Sequence, residues 1–294
     1  MQKMIGQCRF GACATLFAAW VGCAACSAPP EGETVTSAGG SGGTSDRPPR
    51  GPLSPGCGTP PLQTGVFASQ ILVQGQAREY WSVVPSTYDG SQPRPLVLNW
   101  HGQDGSAEDS TSWLGVVGQV GVDAILVYPQ SVASITWDER DGSMDMLFYE
   151  ALMAQLLATY CIDTGRIFSV GNSAGAYFNA ALGCRYPQNF AAVANVAGLW
   201  TVAPTTACAP LGWMYLLGEQ DEQVELVNSR GVMLAATACE DVPVPVTDLG
   251  VTGTCEDFFT CSIGSTLRFC AYRGGHEWPA DFAPRAIWTF FQKW

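Results

Sequence analysis

The sequence contains only two histidines, His101 and His276, among its 294 residues. That scarcity excludes a multi-histidine metal centre, and none of the cysteine spacings matches a zinc site. Positive charge is also sparse, with 14 Lys and Arg against 26 Asp and Glu and a net charge of −12. A chain so acidic repels nucleic acid, anionic membranes and polyanionic substrates, whereas a neutral substrate is compatible with it. No internal repeat is present, and the one N-terminal apolar run falls short of the roughly 20 residues that a membrane helix needs. The acidic run from Asp138 to Asp145 lacks the alternating ligands and distal Glu of a calcium loop. Acids ahead of a long helical pattern complement its positive end, so neither a metal nor a cofactor is expected.

The N-terminus carries Lys3 and Arg9, then an apolar run from Phe10 to Val21, closed by Gly22-Cys23-Ala24-Ala25-Cys26. Residues 1–26 therefore have the pattern of an export signal. A small residue before a cysteine resembles a bacterial lipoprotein signal, so any membrane contact is expected through a lipid anchor at Cys26 or Cys23. Residues 27–56, rich in Gly, Ser, Pro and Thr, predict a flexible linker, because they cannot bury enough surface to offset their ordering entropy. Residues 57–294 are long enough for one large domain. That domain holds eight cysteines, an even number that suggests disulfides in an oxidising compartment and leaves their connectivity open.

Short β-rich runs alternate with longer helical patterns from Glu79 onward, which predicts an α/β fold with a mostly parallel sheet covered on both faces. The expected strands are Glu79–Val84, Leu96–Trp100, Ala124–Tyr128, Arg166–Val170, Ala191–Val196, Met214–Leu217 and Leu267–Tyr272. The expected helices are Asp145–Tyr160, Ala174–Cys184, Val224–Cys239 and Phe282–Gln292. Ligands of such sheets bind beyond the carboxyl ends of the strands. His101, Ser173, Asp221 and His276 all fall at or just after those ends.

The run Arg166-Ile-Phe-Ser-Val leads into Gly171-Asn172-Ser173-Ala174-Gly175 and then into a helical pattern. A strand, a sharp turn carrying serine and a helix make a nucleophile elbow, in which the flanking glycines permit close approach. The backbone N–H of Ala174 then stands where it can stabilise a developing oxyanion. A serine nucleophile needs a base, and His276, between the last strand and the last helix, follows it in the chain. His101 precedes the serine and suits a loop that shapes the oxyanion hole. The third member is expected from the loop after Met214–Leu217: Asp221, with Glu219 in reserve. Trp137, Trp200 and Trp278 lie on loops near this face, and each is open to substrate stacking or to core packing.

From about Glu79 to Trp294 the chain resembles the poly(3-hydroxybutyrate) depolymerase and feruloyl/acetylxylan esterase group of α/β-hydrolases. Four stretches carry the resemblance: Trp100-His101-Gly102; Tyr160-Cys161-Ile162-Asp163-Thr164-Gly165-Arg166 leading into the elbow; Gly218-x-x-Asp221; and Gly275-His276-x-Trp278-Pro279. It implies an α/β-hydrolase fold and a triad of Ser173, Asp221 and His276. It also implies an oxyanion donor at the backbone N–H of Gln103. The expected activity is hydrolysis, through an acyl-enzyme, of hydroxycinnamoyl or acetyl esters of cell-wall polysaccharide, or of short hydroxyalkanoate esters. With no further domain expected beyond Trp294, soluble oligomers or hemicellulose esters are favoured over solid granules. Two alternatives share the fold: a serine peptidase of the prolyl-oligopeptidase type, for whose propeller there is no room, and a catalytically silent surface binding protein.

Overall fold

The computed structural model of the chain describes residues 51–119, 124–132, 136–199, 211–247, 249, 253–262 and 264–294, which belong to one compact unit. Its elements are β1 (Gly65–Val73), β2 (Gln76–Val84), β3 (Arg94–Trp100), α1 (Ala107–Trp113), β4 (Ile125–Pro129), α2 (Met144–Thr159), β5 (Ile162–Asn172), α3 (Ala174–Arg185), β6 (Ala192–Val196), β7 (Gly212–Gly218), α4 (Leu226–Ala236), β8 (Val244–Val246), β9 (Gly253–Phe258), β10 (Thr266–Tyr272) and α5 (Ala283–Phe291). The described strands all join one sheet in the order β1-β2-β4-β3-β5-β6-β7-β10-β9-β8. From β4 to β10 the neighbours are parallel, and antiparallel hairpins close both edges. This is the mostly parallel, two-faced sheet of an α/β-hydrolase.

The central strands read as unbroken apolar runs because both of their faces are buried. In β3, Leu96, Leu98 and Trp100 face one core and Val97 the other; in β7, Trp213, Tyr215 and Leu217 oppose Met214 and Leu216. Helices α2, α3 and α4 cover the first face, through residues such as Phe148, Leu152, Phe178 and Met233. Helix α5 covers the other with Ala286, Ile287, Phe290 and Phe291. Among the described helices, none is long and apolar enough to cross a membrane.

Every expected strand and helix is present, with bounds shifted by a few residues at most ends. β1, β8, β9 and α1 were not expected. β1 and β8 are edge strands whose outer residues stay exposed, and α1 buries only Ala107 and Ser110, so neither kind leaves a strong apolar period.

Residues 51–56, expected as the end of a flexible linker, are docked on the domain instead. Ser54 N–H donates to the Ile162 carbonyl at 3.0 Å and Gly56 N–H to Leu157 at 3.0 Å. Asp163 accepts the Gly51 N–H at 2.9 Å, and its carboxylate pairs with Arg166 at 2.7 Å. The Cys57–Cys161 disulfide clamps the same place. Backbone hydrogen bonds to a strand need no large side chains, which is why a Gly- and Pro-rich composition concealed this docking. Disulfides also join Cys239 to Cys261 and Cys255 to Cys270, and Cys184 is disulfide-bonded as well. The expected export signal, with Cys23 and Cys26, lies outside the described residues.

Candidate active site

At the carboxyl end of β5 the chain turns sharply into α3, and Ser173 sits at the turn with φ 50° and ψ −120°. A non-glycine residue there is strained and is held only by its surroundings. The Ser173 N–H donates to the Val196 carbonyl of β6 at 2.9 Å. The flanking glycines are sterically required. A Cβ on Gly171 would stand 2.3 Å from the Gly175 carbonyl oxygen, and one on Gly175 would stand 2.1 Å from that of Trp100. The turn thus brings α3 against β5 and the end of β3 at once.

Two further loops meet at this point. After β7, the Glu219 N–H donates to the Tyr272 carbonyl at 2.9 Å and the Gln220 N–H to that of Gly274 at 2.8 Å. A Cβ on Gly218 would lie 2.3 Å from the Gly275 carbonyl oxygen, so these loops touch backbone to backbone. The Tyr272 hydroxyl, 3.1 Å from the Gly275 carbonyl and 2.7 Å from that of Glu277, supports the loop from beneath. Sequence reasoning did not single out Tyr272, since a buried tyrosine ending a strand carries no motif.

The loops bring Ser173, His276 and Asp221 into one hydrogen-bonded chain. Ser173 Oγ is 2.7 Å from His276 Nε2. His276 Nδ1 is 2.9 Å from Asp221 Oδ2 and 3.2 Å from Oδ1. Asp221 Oδ1 also accepts the N–H groups of Gln223 at 2.8 Å and Val224 at 3.0 Å. One carboxylate therefore serves both roles weighed for it, as histidine partner and as acceptor ahead of α4. The Asp221 side chain is fully buried and that of His276 is mostly so. A carboxylate that accepts Nδ1–H leaves Nε2 able to take a proton from the serine hydroxyl. Asp221, not the exposed Glu219, faces the imidazole.

The turn after β3 borders the serine. A Cβ on Gly102 would lie 3.3 Å from Ser173 Cβ, and Gln103 follows directly. The Ala174 N–H opens α3, where a helix has no internal acceptor for its donors.

The three tryptophans separate. Trp137 is 3 % exposed, and its ring stacks on Phe178 at 5.2 Å and meets Trp100 edge-on at 5.0 Å. Its indole N–H donates to the His101 carbonyl at 2.9 Å, so of the two roles open to Trp137 the structure shows core packing and not a substrate platform: burial within an aromatic cluster leaves no face for a ligand. Trp278 is half-buried and meets Trp113 edge-on at 6.2 Å. Trp200 lies outside the described residues. The acidic run is engaged in protein contacts, with Asp138 bonded to Arg140 and Asp145 pairing with the buried Arg78 at 2.7 Å.

No family model matches the sequence. Individual relatives do. Feruloyl esterase C of Emericella nidulans is 30 % identical over 262 residues, covering 83 % of this chain and 93 % of that one. Feruloyl esterase D of Neurospora crassa is 24 % identical, over 82 % and 90 % of the two chains. Among solved structures, an acetyl xylan esterase from Aspergillus awamori superposes with a TM-score of 0.60 at 13 % identity, covering 77 % of this chain and 99 % of that one. A ferulic acid esterase gives 0.58 at 14 % identity, over 78 % and 98 %. The structural likenesses show the shared fold, and the sequence relationship extends along nearly the whole relative: the chain belongs to the feruloyl esterase family and is a serine carboxylic-ester hydrolase.

Proposed function

We propose that Ser173 is the nucleophile, His276 the general base and Asp221 the residue that orients it, in an esterase acting on hydroxycinnamoyl esters. The observation that carries this reading is the continuous hydrogen-bonded chain from Ser173 Oγ through His276 to the buried Asp221. His276 takes the hydroxyl proton as Ser173 attacks the ester carbonyl, and then gives it to the departing alcohol oxygen. The N–H groups of Ala174 and Gln103 bind the oxyanion. Water, deprotonated by His276, releases the acid. The names of the feruloyl esterase relatives support an aromatic acyl group. The Trp113 and Trp278 rings, two residues beyond His276 in the latter case, supply aromatic surface for it. Trp200 is retained as a third contact.

The same reading places the enzyme outside the cytoplasm: disulfides persist in oxidising compartments, and residues 1–26 carry the export pattern. Labelled palmitate incorporated by the wild-type chain but not by Cys26→Ser or Cys23→Ser would assign the lipid anchor.

The deciding assay follows methyl ferulate, p-nitrophenyl acetate and hydroxybutyrate trimers with the wild-type chain and Ser173→Ala. The expected result is turnover of methyl ferulate that the alanine variant lowers by at least about 10³-fold. Equal activity of the two proteins refutes the triad. Cleavage of the trimers in preference to methyl ferulate moves the substrate to hydroxyalkanoate esters.

A further inference from the structure

Two consecutive peptide groups lead from β3 to Gln103, and each is held by a buried aromatic side chain that touches no open face of the site. We propose that His101 and Trp137 are positioning residues that aim the Gln103 N–H at the oxyanion. The proposal rests on the reading of Gln103 as an oxyanion donor and assigns what sets its direction.

His101 is 1 % exposed, and its partners fix its protonation. Nδ1 lies 2.8 Å from the Gly102 carbonyl, which can only accept, so Nδ1 carries the hydrogen. Nε2 is then the acceptor, 3.3 Å from the Ser131 N–H and 3.3 Å from the Gln130 side-chain nitrogen. Gln130 is oriented in turn, because its Oε1 accepts the Ala107 N–H at 2.7 Å. Burial lowers the pKa of His101, which favours this neutral form.

The Gly102 carbonyl and the Gln103 N–H belong to one planar trans peptide group, so they point in opposite directions. The carbonyl takes the His101 Nδ1–H and also the Gly105 N–H at 3.1 Å. Fixing that oxygen fixes the direction of the Gln103 N–H. One peptide earlier, the Trp137 indole N–H holds the His101 carbonyl at 2.9 Å. The Trp137 ring is itself immobilised between Trp100 and Phe178. Helix α3 closes on the same backbone, since a Cβ on Gly175 would lie 2.6 Å from the His101 carbonyl oxygen. Rotation of the Gly102–Gln103 peptide would thus move a donor beside Ser173 while leaving the binding surface in place. Charge on the carbonyl oxygen grows only towards the transition state, so a misaimed donor costs turnover more than substrate binding.

Trp137→Phe keeps an aromatic ring in the cluster and removes the indole N–H; His101→Phe removes both ring nitrogens. With methyl ferulate, kcat is expected to fall about 10-fold in the first and about 100-fold in the second, with KM within about 2-fold. Affinity for an aryl boronic acid, which forms a tetrahedral adduct, is expected to fall by the same factors while ferulate binding stays unchanged. His101→Asn, whose amide retains a donor for the Gly102 carbonyl, recovers part of the kcat lost in His101→Phe. Near-UV circular dichroism checks the fold, and Trp137→Phe decides alone where His101→Phe does not fold. A folded Trp137→Phe with wild-type kcat, or with raised KM at unchanged kcat, overturns the proposal. Activity persisting in Ser173→Ala would instead refute the triad, so the two failures are distinguishable.

Discussion

Replacing Asp221 by Asn tests the site through the tautomer of His276. Asp221 Oδ1 accepts two backbone N–H groups, from Gln223 and Val224, at 2.8 and 3.0 Å. An asparagine must keep its carbonyl oxygen there, since turning its NH₂ to those donors forfeits two hydrogen bonds, one buried and one partly so, and the buried loss alone costs about 1–3 kcal/mol. Its NH₂ group then faces His276 Nδ1, 2.9 Å from Oδ2 in the native protein. Facing a donor, Nδ1 becomes the acceptor and the hydrogen moves to Nε2, the nitrogen 2.7 Å from Ser173 Oγ. The base is then occupied before the reaction begins. A wrong tautomer in an otherwise intact triad costs about 10⁴-fold in kcat, or about 5.4 kcal/mol of barrier. The measurement is steady-state hydrolysis of methyl ferulate at neutral pH, with urea unfolding to show that the variant remains folded. Retention of more than about one-tenth of the wild-type kcat would refute the reasoning.

The elbow, the disulfides and the buried titratable groups each carry a further expected outcome. Gly175→Ala places a Cβ 2.1 Å from the Trp100 carbonyl oxygen and is expected to destabilise the protein by about 2–4 kcal/mol in urea, with loss of esterase activity; wild-type stability would show that the elbow can yield. Removing the Cys57–Cys161 disulfide, which spans 104 residues, is expected to cost about 4–5 kcal/mol and to speed proteolysis near residues 51–56; unchanged cleavage there would show that the backbone bonds suffice alone. Burial lowers the pKa of His101 from 6.5 in the folded protein, so below that pH the unfolded chain binds the extra proton and stability falls as pH falls, by at most about 1.4 kcal/mol per unit. The urea midpoint should drop between pH 7 and pH 5.5 more in the wild-type protein than in His101→Phe. Asp257 contributes only at lower pH: burial opposes its ionisation, but hydrogen bonds from Arg268 and Lys293 prevail and hold its pKa below 3.8, so its stabilisation is lost as pH falls below that value.

Much of the site was legible because its chemistry constrains local sequence. Gly171 and Gly175 are glycines since no Cβ fits where strand, helix and neighbouring strand converge, and that need appears as a spaced pair around Ser173. With only two histidines, chain order sufficed to single out His276. Asp221 was harder, because an acid beyond a strand and ahead of a helix suits two roles, and the structure gives its two oxygens to both. Trp137 was left open between stacking on a substrate and core packing for a related reason. Its position between strand and helix suggested a surface loop, yet the aromatic rings that enclose it come from β3 and α3, far along the chain.

The sequence by itself determined the strand–turn–helix elbow, the two-faced parallel sheet and the chain order of serine, acid and histidine. Each rests on contacts between near neighbours or on the periodicity of burial. Only the tertiary structure decided which acid meets His276, that residues 51–56 dock on the domain and what holds the Gly102–Gln103 peptide in place. Those outcomes depend on hydrogen bonds between backbone groups of separate segments, and a backbone donor or acceptor is the same in nearly every residue.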